Sequence, residues 1–214
     1  ARSVDVEPDR AAGRMPDGYF KREGRPREKE ILTCRMTDRP LRPLFPKGWS
    51  CETQVIALVL SADIENDPDV LSVTGASTAL MISDIPYENA IAAVRVGMSE
   101  GRYIINPTTT ELRTSPLDLV VAGTDEAVVM VEAGATAVSE ADMLGAIYAG
   151  HEEIKKLVAM QHELRAKVGL PKRPFAPPAA NPDLEKKIEA AWRGKLTEAM
   201  MIKGKIASYA AVDQ

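Results

Sequence analysis

The sequence predicts an α+β domain followed by a helical appendage. Apolar, β-branched segments come in two pairs, each closed around a short polar turn. Segments with apolar residues at helical spacing stand before and after those pairs. The length of 214 residues, 45% of them hydrophobic and 27% charged, suits one full domain plus an appendage, or two small domains.

Residues 1–18 read as irregular, broken by Pro8, Gly13 and Pro16, although Val4 and Val6 fit the end of a strand whose partners lie upstream of residue 1. Residues 17–26 form a loop bounded by Gly and Pro. A helix starts near Arg27 with Pro26 in its first turn, and Pro40 is expected to end it. The prolines of 39–46 predict an extended run. Residues 54–64 are apolar and β-branched, a buried strand. Asp67 caps the next helix, with Pro68 at its first turn, and that helix runs through Ile82. Gly75-Ala76-Ser77 lies inside it, as a small-residue packing face or as a phosphate-contacting turn.

Two hairpins follow, 90–98 with 102–106 around Glu100-Gly101, and 117–123 with 127–133 around 124–126. Together with 54–64 these strands predict a mixed sheet packed with helices. Ser139 caps a long helix, with Asp142 three residues on, that stops at Gly169. Residues 172–181 are a Pro- and Ala-rich linker. The remaining helical piece carries Leu184, Ile188, Ala191 and Trp192 as an apolar stripe, with Trp192 as its anchor.

Several function classes fall away. No uncharged apolar stretch, 54–62 included, is long enough to span a bilayer, so no membrane partner is expected. The charged opening residues do not make a secretory signal, and a start at Ala1 rather than Met reads as a fragment or a processed product. Cys34 and Cys51 fit reduced thiols in a reducing compartment, hence a cytoplasmic location. His151 and His162 lie on a charged helix without metal-ligand spacing to a cysteine, so neither zinc nor a Ser-His-Asp site is supplied. Asp63, Glu65, Asp67 and Asp69 cluster like a cation site, but a strand-to-helix junction with a cap explains them better. Asp118 and Asp125 flank a hairpin and need no special role.

The net charge of −4 conceals an asymmetry. Residues 14–47 hold ten Lys or Arg against five Asp or Glu, while the rest of the chain holds seventeen against twenty-six. Within that basic segment Tyr19-Phe20-Lys21-Arg22, with Arg25 beside it, places two rings next to three cations on one loop. Rings stack on bases, worth ~1–3 kcal/mol each, and cations neutralise phosphates, so the loop suits single-stranded nucleic acid. A hairpin anchored by Tyr19 or Phe20 accounts for the aromatics equally.

Larger patterns carry a resemblance. Gly18-Tyr19-Phe20-Lys21-Arg22-Glu23-Gly24-Arg25-Pro26 and Asp38-Arg39-Pro40-Leu41-Arg42-Pro43-Leu44-Phe45-Pro46 resemble the polynucleotide phosphorylase family. Asn66-Asp67-Pro68-Asp69, Ser83-Asp84-Ile85-Pro86, Asn106-Pro107-Thr108 and Leu119-Val120-Val121-Ala122-Gly123-Thr124 follow in the same order and spacing. The resemblance covers essentially the whole chain. It implies an RNase PH-like first core over 1–171, truncated at its start, the linker 172–181, and the opening of an all-helical domain over 182–214. It also implies a homotrimeric ring around a channel, partnered by single-stranded RNA and by RNA-degradosome components. The family degrades RNA from its 3′ end with inorganic phosphate, releasing nucleoside diphosphates. Magnesium (Mg), the phosphate-binding serines and the metal-holding aspartates belong to a second core, so no catalytic or metal-binding residue is expected here. Gly75-Ala76-Ser77 is expected at the place of that core's phosphate turn, with Ala76 replacing a hydroxyl. Tyr19, Phe20, Lys21 and Arg22 match the family's channel constriction, and Arg25 resembles a further RNA contact. Lys21 stands where Arg is common and loses its bidentate phosphate geometry. A ring subunit that binds RNA without any catalytic half is the alternative, and a metabolite-binding α/β domain is a third reading.

Overall fold

The computed structural model describes residues 27–177, 179 and 181–213, which divide into two compact units after Phe175. The α+β class holds. The first unit contains α1 (Glu28–Leu41), a 3-10 turn (Arg42–Leu44), α2 (Asp69–Ile82), β1 (Ala92–Ser99), β2 (Arg102–Ile105), α3 (Thr109–Thr114), β3 (Leu117–Gly123), β4 (Val128–Ala135) and α4 (Glu140–Val168). The strand order is β2-β1-β3-β4, and among the described residues every pairing is antiparallel. α2 and α4 touch each other and both pack on β1, and α1 lies on α2.

Both hairpins fold where the turns predict. Glu100 and Gly101 take φ of 50° and 73°, the left-handed pair that a two-residue hairpin turn requires. The core sits between the sheet and the two long helices, with Val94, Val96, Leu119, Val121, Ile154 and Val158 buried. Each such side chain contributes about 1.5–3 kcal/mol of burial. At Gly150 α4 comes so near the sheet that a Cβ would lie 3.1 Å from Val96 Cγ2 and 3.3 Å from Val121 Cγ2. A polar group closes the same core. Ser77 Oγ donates to Gln161 Oε1 (2.8 Å) and accepts from Ile91 N–H (2.9 Å), while Gln161 Nε2 donates to Ile91 O (2.8 Å). Gly75-Ala76-Ser77 therefore lies mid-helix in α2, with Ala76 and Ser77 packed in the core and Gly75 exposed, and is not a phosphate turn.

Four departures have physical causes. Pro40 does not end α1. It stands in the last turn, where its fixed φ is helical, and Arg42 N–H closes that turn on Asp38 O. Residues 42–44, expected extended, instead form the 3-10 turn, with Pro43 in its first positions. Residues 54–64 join no sheet among the described residues. From Thr53 to Leu60 they alternate half-buried with exposed, the period of a strand, and Ile56, Leu58 and Leu60 form the exposed row. α3 was not foreseen, although Thr108 and Glu111 spell its capping box. Glu111 Oε2 accepts from Thr108 N–H (2.7 Å), and Thr108 Oγ1 accepts from Glu111 N–H (3.2 Å).

The long helix α4 matches its sequence limits, with Ser139 Oγ accepting from Asp142 N–H at 3.1 Å. His162 is exposed, as expected, but His151 is not merely solvated. Its Nε2 lies 2.9 Å from Thr124 O and ties α4 to the β3–β4 turn. Beyond α4 the chain docks. Leu170 N–H donates to Ile82 O and Arg173 N–H to Asp84 O. Lys172 Nζ donates to the carbonyls of Leu80, Met81 and Ser83 at 2.8–2.9 Å, satisfying the end of α2.

The second unit is a helical pair, α5 (Pro182–Met200) and α6 (Lys205–Val212), turning at Gly204 with φ of 103°. Asn181 caps α5 through its side chain. Leu184, Ile188, Ala191 and Trp192, the stripe expected from sequence, all lie on α5 but are exposed. Trp192, expected as the anchor, is 55% exposed, and Lys195 Nζ rests 4.8 Å from its ring centroid.

Candidate nucleic-acid interface

Tyr19, Phe20, Lys21, Arg22 and Arg25, the loop singled out by sequence, lie outside the described residues. Two cavities in the described part of the first unit treat charge in opposite ways.

The smaller, of about 340 Å³, opens at the start of α2, between α1 and strands β1, β3 and β4. Its centre is Arg95, the one charged residue of β1. One guanidinium nitrogen pairs with Asp69 and the other with Asp118. The Arg95 and Asp69 side chains are only 13% and 9% exposed, against 49% for Asp118. Burial pushes the Asp69 carboxyl up from its ordinary range, and the Arg95 charge opposes that rise. Lys29 Nζ takes Asp67 at 2.5 Å, and Arg39 takes Glu132 at 3.1 Å. Asp118, read from sequence as needing no role, is thus half of a clamp.

This cleft does not fit a magnesium ion, because its carboxylates are already engaged by protein cations. Nor does the acidic run before α2 fit one. Asp63 accepts from Glu65 N–H, Asn66 N–H and the Asn66 amide, which hold its carboxyl below the usual range. Glu65 Oε2 accepts from the Thr110 hydroxyl at 2.8 Å. Among the described residues no group of three or more His, Cys, Asp or Glu is arranged to hold a metal.

The larger cavity, of about 670 Å³, lies where α1 and the 3-10 turn meet the loop 46–53. Phe45, Trp49, Val55, Leu41 and Leu80 give it apolar walls, and Arg35, Arg42 and Lys47 stand around it. Arg42 Nε reaches both Asp38 oxygens at 3.1 and 3.3 Å and is spoken for. Arg35 and Lys47 carry no ion pair among the described residues and are exposed. Cys34 and Cys51 both line this cavity, and no disulfide joins them. Phe45 meets Tyr87 at 5.3 Å between ring centroids. Tyr87 is fully buried, and burial raises its pKa.

The arrangement supports binding of a flat, anionic ligand. Among the described lining residues there is no histidine, and the Asp38 carboxylate is engaged by Arg42. Sequence reasoning missed Lys47 and Trp49, although Pro46-Lys47-Gly48-Trp49 brings a cation within two residues of an aromatic at a Pro-Gly turn. It also missed Arg95, whose signal is a lone charge in an apolar strand.

Comparison with known proteins accounts for this architecture. Residues 3–86 match the model of the 3′ exoribonuclease family, domain 1, and residues 89–153 match domain 2 of the same family. The chain is 48% identical over 203 residues to the polyribonucleotide nucleotidyltransferase of Geotalea uraniireducens, covering 95% of this chain and 29% of that protein. It is 53% identical over 204 residues to that of Solibacter usitatus, covering 94% and 29%. The chain therefore spans less than a third of these curated relatives. Among solved structures, rice (Oryza sativa) Rrp46 superposes with a TM-score of 0.56 over 66% of this chain and 67% of that one, at 13% identity, a likeness of fold alone. No helix among the described residues is long and apolar enough to cross a membrane. With both domains of one family matched in order and relatives near half identity along almost its whole length, the chain belongs to the 3′ exoribonuclease family and is similar within it to the polyribonucleotide nucleotidyltransferases.

Proposed function

We propose that the chain is the first, non-catalytic core of a polyribonucleotide nucleotidyltransferase, with residues 1–171 as that core, 172–181 as a linker and 182–214 opening an all-helical domain. The observation that carries the reading is identity of 48% and 53% to proteins of that name along about 95% of the chain. The whole protein then removes nucleotides from the 3′ end of single-stranded RNA by attack of inorganic phosphate. The bond to the terminal nucleotide breaks, and the nucleotide leaves as a diphosphate. Magnesium would supply charge stabilisation at the transferred phosphoryl group, held by a second core, and the carboxylates of the Arg95 cleft are engaged by protein cations instead.

In this reading the chain binds and orients RNA. Tyr19 and Phe20 stack on bases, and Lys21, Arg22 and Arg25 hold phosphates, in three copies around the channel of a cytoplasmic homotrimer that also meets degradosome components. The burial of Ala76 and Ser77 inside a helix and the neutralised Arg95 cleft support a role without chemistry. Incubating the 214-residue chain with poly(A), phosphate and magnesium tests it. No ADP is expected above a blank, whereas a version extended through a second core releases ADP. Turnover by the chain alone would overturn the non-catalytic assignment.

A further inference from the structure

We propose that the 670 Å³ cavity is a nucleotide seat, in which Trp49 is the stacking wall for a base and Lys47 and Arg35 receive its phosphates. This rests on the RNA-handling role proposed above and adds a site to it.

Trp49 is held from several directions. Its indole N–H donates to Thr53 Oγ1 at 3.1 Å. The Arg173 guanidinium sits 5.9 Å from the ring centroid, and the Phe175 ring meets it edge-on at 5.3 Å and 68°. Arg173 is itself fixed by Asp84, through its side chain at 2.9 Å and through its backbone N–H. Neither Arg173 nor Phe175 lines the cavity. A ring held by Thr53 within the cavity wall and by Arg173 and Phe175 from outside it, yet left half-exposed, is preorganised for a flat partner.

The charges complete the match. A nucleoside phosphate presents an aromatic face at one end and an anion at the other. The cavity presents Trp49 and Phe45 beside two cations that lack ion pairs among the described residues, with Glu52 as the opposing carboxylate. Its volume lies within the range of small-ligand pockets, about 300–1,000 Å³. In the Arg95 cleft the cations already have carboxylate partners, so the two cavities are not interchangeable.

The chain's two tryptophans make the test direct. Trp192→Phe, at an exposed position, leaves Trp49 as the only indole emitter. The 214-residue chain carrying this change is titrated with ADP, with inorganic phosphate at matched ionic strength, and with a ten-nucleotide oligo(A). Saturable quenching by ADP and none by phosphate is expected, with the midpoint at least about tenfold weaker in Arg35→Ala/Lys47→Ala. Both changes are at exposed side chains, and the unfolding midpoint of each variant confirms an intact fold. Stronger quenching by oligo(A) than by ADP assigns the seat to the strand; stronger quenching by ADP assigns it to the free nucleotide. Linear, unsaturable quenching equal to that of a free indole, or a midpoint unmoved by the double change, overturns the proposal. If oligo(A) still binds by anisotropy while quenching is absent, the seat fails and the RNA-gripping role stands.

Discussion

The two cavities of the first unit use arginine and lysine for opposite ends. In the Arg95 cleft the cation lies inside the protein between Asp69 and Asp118, and the neighbouring charges are paired as well. In the Trp49 cavity the aromatic wall is braced from outside, while Arg35 and Lys47 carry no ion pair among the described residues. A buried ion pair costs about as much desolvation as it returns in attraction, so it contributes arrangement more than stability. An exposed cation without a partner costs the fold little and keeps its field for a ligand. The difference separates a cleft that organises the domain from a cavity that is open for binding.

The largest expected effect comes from breaking the closed cleft. Arg95→Met leaves the Asp69 carboxyl buried without its partner and should cost about 3–5 kcal/mol in denaturant unfolding. The pH dependence has a definite sign. A carboxyl whose folded pKa is raised favours the folded state while protonated, and that contribution is lost as pH rises through the folded pKa. The Arg95→Met deficit should therefore be greatest near neutrality and shrink in acid. Arg95→Met with Asp69→Leu should recover most of the loss, since apolar residues replace such pairs at little net cost. A deficit independent of pH would mean that Asp69 is not the group left stranded.

Next comes the strap behind the open cavity. Lys172→Met removes donors to Leu80, Met81 and Ser83 and should cost about 1.5–3 kcal/mol. It should also loosen Trp49, visible as a red shift and faster quenching by acrylamide in Trp192→Phe, because Arg173 and Phe175 follow directly. A loss of stability with unchanged Trp49 emission would separate the strap from the cavity wall.

The smallest change is expected in the open cavity. Lys47→Ala should stay within about 0.5 kcal/mol of the parent in thermal or chemical unfolding. A large destabilisation would make Lys47 a structural cation like Arg95 and erase the contrast.

Legibility from sequence divides along the same physical line. Local signals identify α2, α4 and both hairpins, because a cap such as Ser139 or a turn such as Glu100-Gly101 acts within a few residues. The failures are non-local. Residues 54–64 have the strand pattern, but pairing depends on partners distant in sequence, and none lies among the described residues. Pro40 reads as a breaker until the turn that Arg42 closes on Asp38 is seen. The Arg95 clamp joins α2, β1 and β3, and the bracing of Trp49 joins residues more than a hundred apart in the chain. The rings and cations of Tyr19–Arg22 are adjacent in sequence, and those residues lie outside the described ones.

That loop is where the proposed role meets measurement. RNA affinity is followed at several salt concentrations for the full-length protein and for its Lys21→Ala/Arg22→Ala variant. If the chain grips the strand through these cations, binding weakens for all sequences alike, because phosphates carry no base information. The log–log salt slope then flattens by about 0.7 for each phosphate that the variant no longer neutralises on a single strand. Parallel lines with equal intercepts would contradict the grip and leave Tyr19 and Phe20 as anchors of a folded hairpin.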